Sequence, residues 1–420
     1  MTSPRDNARH IITADVVVPV IGDQIHDGFV AVEGGRIADI GSRRALRGLP
    51  GDTVVALPGA AVFPGLIDTH CHLEWSGASL TSGDGTFADW LRQIMGAGLA
   101  MTPDDFLAAA REGARRALLS GTTTVLDAGP TGAGARALDE LGMRGTVHLE
   151  TFGRHTGDAA RDAARELAER IGALPRSARV DVGVSPHAPY TVGAEYWAAL
   201  ADDPVLSALP WMTHLAESAE ELPAVCGDAG PMRALFAERG SAPGSWPGTG
   251  SVVARLAAAG AFRPGLTAAH CVHISEDDAE VLAASGVGIA HCPVSNRTLG
   301  VGTHPLRLAR RGGVRIGLGT DSPASGGRYD LRHDARVCRD VHVEAPPTAA
   351  EIVAMMTTEA AHVAGRGAQI GALAVGRAAD LVAVDLDGRE PCEALVTSTR
   401  PPRMGMIDGI VRVRDGVLVD

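Results

Sequence analysis

Apolar and polar positions fall into two textures along the chain. Residues 12–63 alternate over short stretches (ADVVVPV, GFVAVEGGRIADIG, DTVVALPGAAVF) broken by Gly-Asp, Gly-Gly and Pro-Gly turns, the pattern of a small antiparallel sheet. The same texture returns near the other end, in IGALAVGRAAD, ADLVAVDLD and GIVRVRDGVLVD, so the two terminal regions are expected to build one composite β-domain. Between them, eight strongly apolar runs alternate with helical stretches such as ARELAERIGAL and DDAEVLAAS; the runs are 62–70, 122–129, 146–153, 180–189, 210–218, 266–273, 286–296 and 314–322. Apolar runs of this kind suit strands buried on both faces, and eight of them with intervening helices is the count of a (β/α)8 barrel. The expected fold class is α/β: a TIM-like (β/α)8 barrel over 64–364 with a small composite β-sandwich made from 1–63 and 365–420. A doubly wound open sheet is the alternative, weakened because no G-x-G-x-x-G follows the first strand. The Gly/Pro/Ser-rich stretch 240–250 (GSAPGSWPGTG) is too short for a domain linker and is expected to cover the barrel mouth.

Composition narrows the chemistry. The chain has 420 residues, 38 basic against 50 acidic side chains and a net charge of −12, without a block of like charges. This argues against binding nucleic acid polymers or anionic membranes and leaves a small-molecule substrate as the expected partner; a homodimer is compatible. No apolar stretch approaches membrane-spanning length. The opening residues MTSPRDNARHIITADVV lack the apolar segment of a secretory signal, so the expected address is cytoplasmic. The chain contains no lysine, so all 38 basic residues are arginine. An imine-forming lysine, a P-loop and a two-metal centre bridged by a carbamylated lysine are thereby excluded. The six cysteines form no C-x-x-C pair, which fits a reducing compartment and excludes a zinc ribbon.

The candidate chemistry lies at the C-terminal ends of the eight runs, where a barrel builds its active site. His70 and His72 flank Cys71, and residues two apart on a strand point to the same side, so both imidazoles can reach one cation. His214 ends the fifth run, His270 the sixth and Asp321 the eighth. Three neutral imidazoles and one carboxylate suit Zn2+, and equally Fe2+, with a position left for water. Glu74 and Trp75 follow the histidine pair, a combination suited to gripping ribose hydroxyls and stacking a base. Arg154 and Arg297 are candidates for a substrate carboxylate.

The segments PGLIDTHCHLEWS, THLAES, AHCVH, HCPVSN and GTDS resemble the amidohydrolase superfamily in its mononuclear deaminase and chlorohydrolase branch, over nearly the whole chain. HLEWS with FADWL, SPHAPYTV, HLAESAEEL and CPVSNRTLG are most similar to the aminodeoxyfutalosine deaminases. Similar motifs occur in deaminases of adenosine, methylthioadenosine, S-adenosylhomocysteine, guanine and cytosine. The resemblance implies one divalent metal ion, Zn2+ first and Fe2+ second, held by His70, His72, His214 and Asp321. It implies that Asp321 is both ligand and base toward a water whose pKa the ion lowers to about 7. Glu217 then acts as proton shuttle, and His270 is a catalytic imidazole and not a ligand. His187 of SPHAPY matches a position that contacts the substrate ring. After GTDSPAS this chain departs from the family, with Gly326 and Asp334 where an asparagine and then a glutamate usually stand.

The function implied is a metal-dependent aminohydrolase that releases ammonia from an aminopurine nucleoside or a similar aminated heterocycle. The same site could serve a hydrolase of halogenated triazine-like rings or of cyclic amides. Glu217 favours the amine, because deamination needs a proton on the ring nitrogen. A catalytically silent scaffold is disfavoured by the full set of six metal and catalytic residues.

Overall fold

The computed structural model describes residues 9–78, 80 and 85–419; the expected composite domain therefore includes residues 1–8, which lie outside that range. Four strands come first: β1 (His10–Val17), β2 (Ile25–Glu33), β3 (Arg36–Ser42) and β4 (Thr53–Pro64). Eight follow at intervals with helices between: β5 (Leu66–Cys71), β6 (Thr122–Gly129), β7 (Arg144–Thr151), β8 (Val180–Pro186), β9 (Trp211–Leu215), β10 (Leu266–His270), β11 (Gly288–His291) and β12 (Arg315–Leu318). The last four are β13 (Leu381–Asp385), β14 (Met404–Ile407), β15 (Ile410–Arg414) and β16 (Val417–Leu418). They assort into two sheets, β5 to β12 in chain order and β16-β15-β14-β13-β4-β1-β2-β3.

β5 to β12 pair in parallel. The ends meet where Cys71 bridges Asp321, with Asp321 N–H donating to His70 O at 3.0 Å and His72 N–H to Asp321 O at 3.1 Å. The barrel is thus closed at its C-terminal rim. β6 and β7 are buried at every residue, as strands covered by side chains inside and helices outside must be. The helix Pro103–Leu119 shows how the outer layer forms: Thr102 and Asp105 close a capping box, and a face of Ala109, Ala110, Gly113, Ala114 and Ala117 is buried. The reciprocal cap satisfies orphan N–H groups, and the small side chains let the helix lie close.

The second sheet joins both terminal regions. β4 pairs antiparallel with β13, from Leu381 opposite Pro64 to Asp385 opposite Ala60, while its other edge pairs in parallel with β1. The apolar run 62–70 therefore splits, Val62–Pro64 ending a strand of this sheet and Leu66–Cys71 opening the barrel. The break is at Gly65, where a Cβ would stand 2.2 Å from Thr123 Oγ1, so only glycine admits the crossing between sheets. Other runs overshoot their strands; 286–296 holds only Gly288–His291 as strand before the helix Pro293–Thr298. Pro293, Val294, Ser295 and Asn296 remain buried, and burial keeps the sequence apolar after the strand has ended.

Arg144, at the start of β7, ties the two sheets together. Its Nε donates to Asp380 Oδ2 at 2.8 Å and its other guanidinium arm to Asp408, with Arg144 and Asp380 both buried. Leaving a buried guanidinium without its main partner costs about 3–5 kcal/mol. Asp380→Ala should therefore lower stability by that amount, read from the urea midpoint at unchanged slope; a loss under about 1 kcal/mol would mean the pair does not couple the sheets. No helix among the described residues is long and apolar enough to cross a membrane.

Candidate active site

At the C-terminal rim, the ends of β5, β9 and β10 and the segment just after β12 bring His70, His72, His214, His270 and Asp321 into one buried cluster. The ring of His70 lies 4.7 Å from that of His72, 4.9 Å from His214 and 5.5 Å from His270. Asp321 Oδ1 is 3.5 Å from His72 Nε2 and 4.0 Å from His70 Nε2. His270 and Asp321 carry φ of +70° and +56°. Left-handed backbone at non-glycine residues costs on the order of 1–3 kcal/mol each and gathers at working sites; here it turns two strand ends so that both side chains face inward.

The hydrogen bonds decide which nitrogen each ring offers. His72 Nδ1 is 2.8 Å from Ala128 O and His214 Nδ1 2.8 Å from His187 O. A carbonyl only accepts, so both Nδ1 atoms carry the proton and both Nε2 atoms carry lone pairs. Those two Nε2 atoms sit 3.1 Å apart. Two lone pairs at that distance repel unless a cation lies between them, and Nε2 of His70 is buried with no partner at all. Burial holds the His70 and His214 imidazoles well below their usual range, with neighbouring imidazoles adding to the effect. The donor set of His70, His72, His214 and Asp321 thus fits a divalent first-row ion, and the backbone carbonyls supply the outer partners that orient such ligands.

Glu217 follows β9 on a turn where Ala216 has φ of +49°. Its N–H donates to Glu221 Oε2 at 3.0 Å, and its Oε1 lies 3.6 Å from His270 Nε2. Burial, aided by the Asp321 charge, pushes the Glu217 carboxyl well above the usual range. His270 Nδ1 pairs with Asn296 Oδ1 at 2.9 Å, which leaves its buried Nε2 facing Glu217.

The cluster opens onto a cavity of about 740 Å3 reached by His72, His214, Glu217, His270 and Asp321. One wall is the helix Phe87–Leu99, which turns Leu91, Ile94, Met95 and Leu99 toward it, the i, i+3, i+4 and i+8 positions of one face. Met95 and Leu99 are 36% and 81% exposed, apolar surface that a small ligand would cover. Trp75 lines the cavity and packs edge-on against Phe106. Stretch 240–250 also lies at this mouth: Ser241 and Ala242 line the cavity, and Trp246 is buried with its indole N–H on Pro189 O at 2.9 Å.

Other sequence candidates separate here. His187 lines the cavity, is held down to about 3 by burial and by His72 and His270, and packs its ring 4.6 Å from that of His214. Its carbonyl also fixes His214, a task the motif did not reveal. Arg154 stands exposed at the rim. Glu74 is turned away from the cavity: its carboxylate accepts the N–H groups of Thr131 and Ala133 at 3.0 and 2.8 Å, bracing the turn after β6. Arg297 lies outside as well, lining a separate cavity beside His291.

Three residues were not anticipated from the sequence. Glu150, next to last in β7, lines the cavity, its Oε1 buried without a hydrogen-bond partner 3.9 Å from His72 Nδ1; burial first, then Glu74, Asp127 and Asp321, push it up to about 8. The signal was there, an acidic residue at a barrel-strand end, in TVHLETFG. Ser325 donates to Asp321 Oδ2 at 2.8 Å and Asn296 orients His270, both from loops whose course a sequence does not reveal. Ser325 belongs to the altered loop after Asp321, a turn ending at Gly326 with φ of +89°. The Trp90 indole donates to Ala324 O of this loop at 2.9 Å, so the apolar wall and the Asp321 loop are joined.

A model of the amidohydrolase family matches residues 61–411. A 5-methylthioadenosine/S-adenosylhomocysteine deaminase of Symbiobacterium thermophilum is 33% identical over 394 residues, 90% of this chain and 86% of that protein. An adenosine deaminase from Xanthomonas campestris with bound zinc superposes with a TM-score of 0.82 at 25% identity, covering 99% of this chain and 95% of that one. The aminofutalosine deaminase of Helicobacter pylori, in complex with methylthio-coformycin, gives a TM-score of 0.83 at 21% identity over 96% and 100% of the two chains.

Proposed function

The chain belongs to the amidohydrolase family, and we propose that it is a metal-dependent aminohydrolase replacing the exocyclic amine of an adenine nucleoside by water, with release of ammonia. The observation that carries this reading is the pair Glu217 and His270 at 3.6 Å, beside four metal-binding side chains and at the floor of a large apolar cavity. His70, His72, His214 and Asp321 would hold one ion, Zn2+ before Fe2+, and the zinc bound in the adenosine deaminase neighbour supports that order. Such an ion supplies Lewis acidity that makes water nucleophilic near neutral pH.

The protein's own groups handle the protons. Asp321, its Oδ2 held by Ser325, accepts the proton that the attacking water loses. Burial favours the neutral form of Glu217, which delivers its carboxyl proton to the ring nitrogen next to the attacked carbon; the carboxylate so formed recovers a proton from the new hydroxyl as the carbonyl forms, and Asp321 passes the proton it took from water to the departing amine. His270, its Nδ1 fixed by Asn296, presents Nε2 to the incoming water and sets its angle of attack. The carbon–nitrogen bond breaks as the carbon–oxygen bond is completed, and ammonia leaves.

The apolar wall supports a nucleoside whose 5′ position bears a compact apolar group, such as methylthio or an aromatic ring, because an unpaired charge there would lose hydration without a partner. Arg154 at the rim is placed for a carboxylate beyond that group. Six free cysteines, five of them buried, support the reducing, cytoplasmic setting. The test is ammonia release by metal-loaded protein from 5′-methylthioadenosine, S-adenosylhomocysteine, adenosine, an aminofutalosine, guanine and cytosine. The nucleosides with apolar 5′ groups should show the highest kcat/KM, and Trp90→Ala should lower it chiefly through KM, by roughly 10-fold or more for an aromatic contact on the order of 1.5 kcal/mol. Ammonia from none of these rings, or chloride from a halogenated triazine without ammonia, refutes the assignment.

A further inference from the structure

Outside the central cluster, His291, Cys338 and His342 place donor atoms within 4.8 Å of one another. His291 ends β11. Cys338 lies in the helix Leu331–Val341 and His342 directly after it, four residues on, so both lie on the same side of the helix end. The Nε2 atoms of His291 and His342 are 3.4 Å apart. That is long for a hydrogen bond between imidazoles, but it matches a tetrahedral edge of about 3.3–3.4 Å for nitrogens each about 2.0–2.1 Å from a shared Zn2+. His291 is fully buried and its Nδ1 has no partner.

We propose that His291, Cys338 and His342 form a second metal site, separate from the catalytic cluster, that takes one soft divalent transition-metal ion of the Zn2+ or Co2+ class. Two imidazoles and a thiol are the donor types that select such ions over Mg2+ or Ca2+. Burial and the neighbouring His304 and His342 hold His291 neutral, and burial with Arg307 does the same for His342, so both rings offer lone pairs. Without a cation, burial pushes the Cys338 thiol up to about 12; a divalent ion at the thiol displaces its proton outright. The nearby guanidinium groups of Arg307 and Arg310 are already engaged by Glu351 at 2.6 and 2.7 Å. His342 is half-buried, and His291 also lines a cavity of about 210 Å3 with Asn296, Arg297 and Val341. That cavity shares no lining residue with the catalytic one and leaves a coordination position to solvent. An ion here would pin the end of the helix Leu331–Val341 to the end of β11.

The test is Co2+ titration of the metal-depleted full chain, followed by near-ultraviolet absorbance. The catalytic donors are nitrogen and oxygen, so a thiolate-to-cobalt band reports the new site alone. The band should appear in the wild type, vanish in Cys338→Ser, and weaken by at least roughly 10-fold in apparent affinity in His342→Ala, a half-buried position that tolerates truncation. Zinc content after dialysis should be two equivalents in the wild type and one in Asp321→Asn, which keeps the second site. The far-ultraviolet spectrum shows that each variant is folded; if Cys338→Ser is not, His342→Ala decides. No band in folded wild type, a band that survives both substitutions, or both zinc equivalents lost in Asp321→Asn overturns the proposal.

Discussion

Glu217→Gln is expected to lower turnover by roughly 10²–10⁴-fold, the range of a general acid–base group, while the bound metal stays in place. The amide has the same size and can still occupy the space beside His270, but it cannot give up and regain a proton. The backbone N–H of residue 217 still reaches Glu221 Oε2, so the turn after β9 keeps its shape. Ammonia release and metal content measured on one preparation separate the two effects. His270→Asn should behave likewise, losing rate and keeping the ion. Near-normal turnover in Glu217→Gln, or loss of the metal in His270→Asn, would show that ligands and proton carriers have been divided wrongly.

His72→Ala and His214→Ala should instead lose the ion. Each removes one of four donors whose Nε2 is aimed into the cluster, both rings being fixed through Nδ1 to backbone carbonyls. Removing an outer hydrogen-bond partner already weakens metal binding about 10–100-fold, so deleting a ligand should exceed that in a chelator competition. A ligand that binds only the folded state raises Tm with concentration. Zn2+ should therefore raise the Tm of the wild type through the catalytic site, and the increment that survives in Cys338→Ser should vanish when His72→Ala is added. A double variant that keeps this increment would mean that the 3.1 Å contact between His72 and His214 is not a metal site.

The six candidate metal and catalytic residues are legible in the sequence for a reason specific to barrels. Strand alternation puts His70 and His72 on one side, and parallel strands around a closed barrel end at one rim, so residues far apart in sequence share a mouth by topology alone. Glu150 obeys the same rule, but in TVHLETFG its histidine neighbour, His148, stands two residues before it, in neither the H-x-H nor the H-x-x-E spacing that marks His72 and Glu217. Glu74 shows the opposite failure. Next to two candidate metal-ligating histidines it reads as a substrate contact, yet Thr131 and Ala133 N–H groups claim its carboxylate, and only the turn after β6 shows where those donors point.

What the sequence by itself determined is set over a few residues at a time: the eight apolar runs, the alternating strands at both termini, the capping boxes, and glycine at position 65, where the chain crosses between sheets. These follow from backbone sterics and from side-chain periodicity, which act locally. What only the tertiary structure decided depends on pairs distant along the chain. Asp321 meets His70 because the rim of β12 closes on β5, Arg297 turns into a second cavity because the helix Pro293–Thr298 turns it there, and Cys338 approaches His291 because the helix Leu331–Val341, 40 residues later, packs against the helix Pro293–Thr298 that follows β11. Such contacts arise from packing of whole elements, whose geometry is a sum over many weak interactions, and no short window of residues contains that sum.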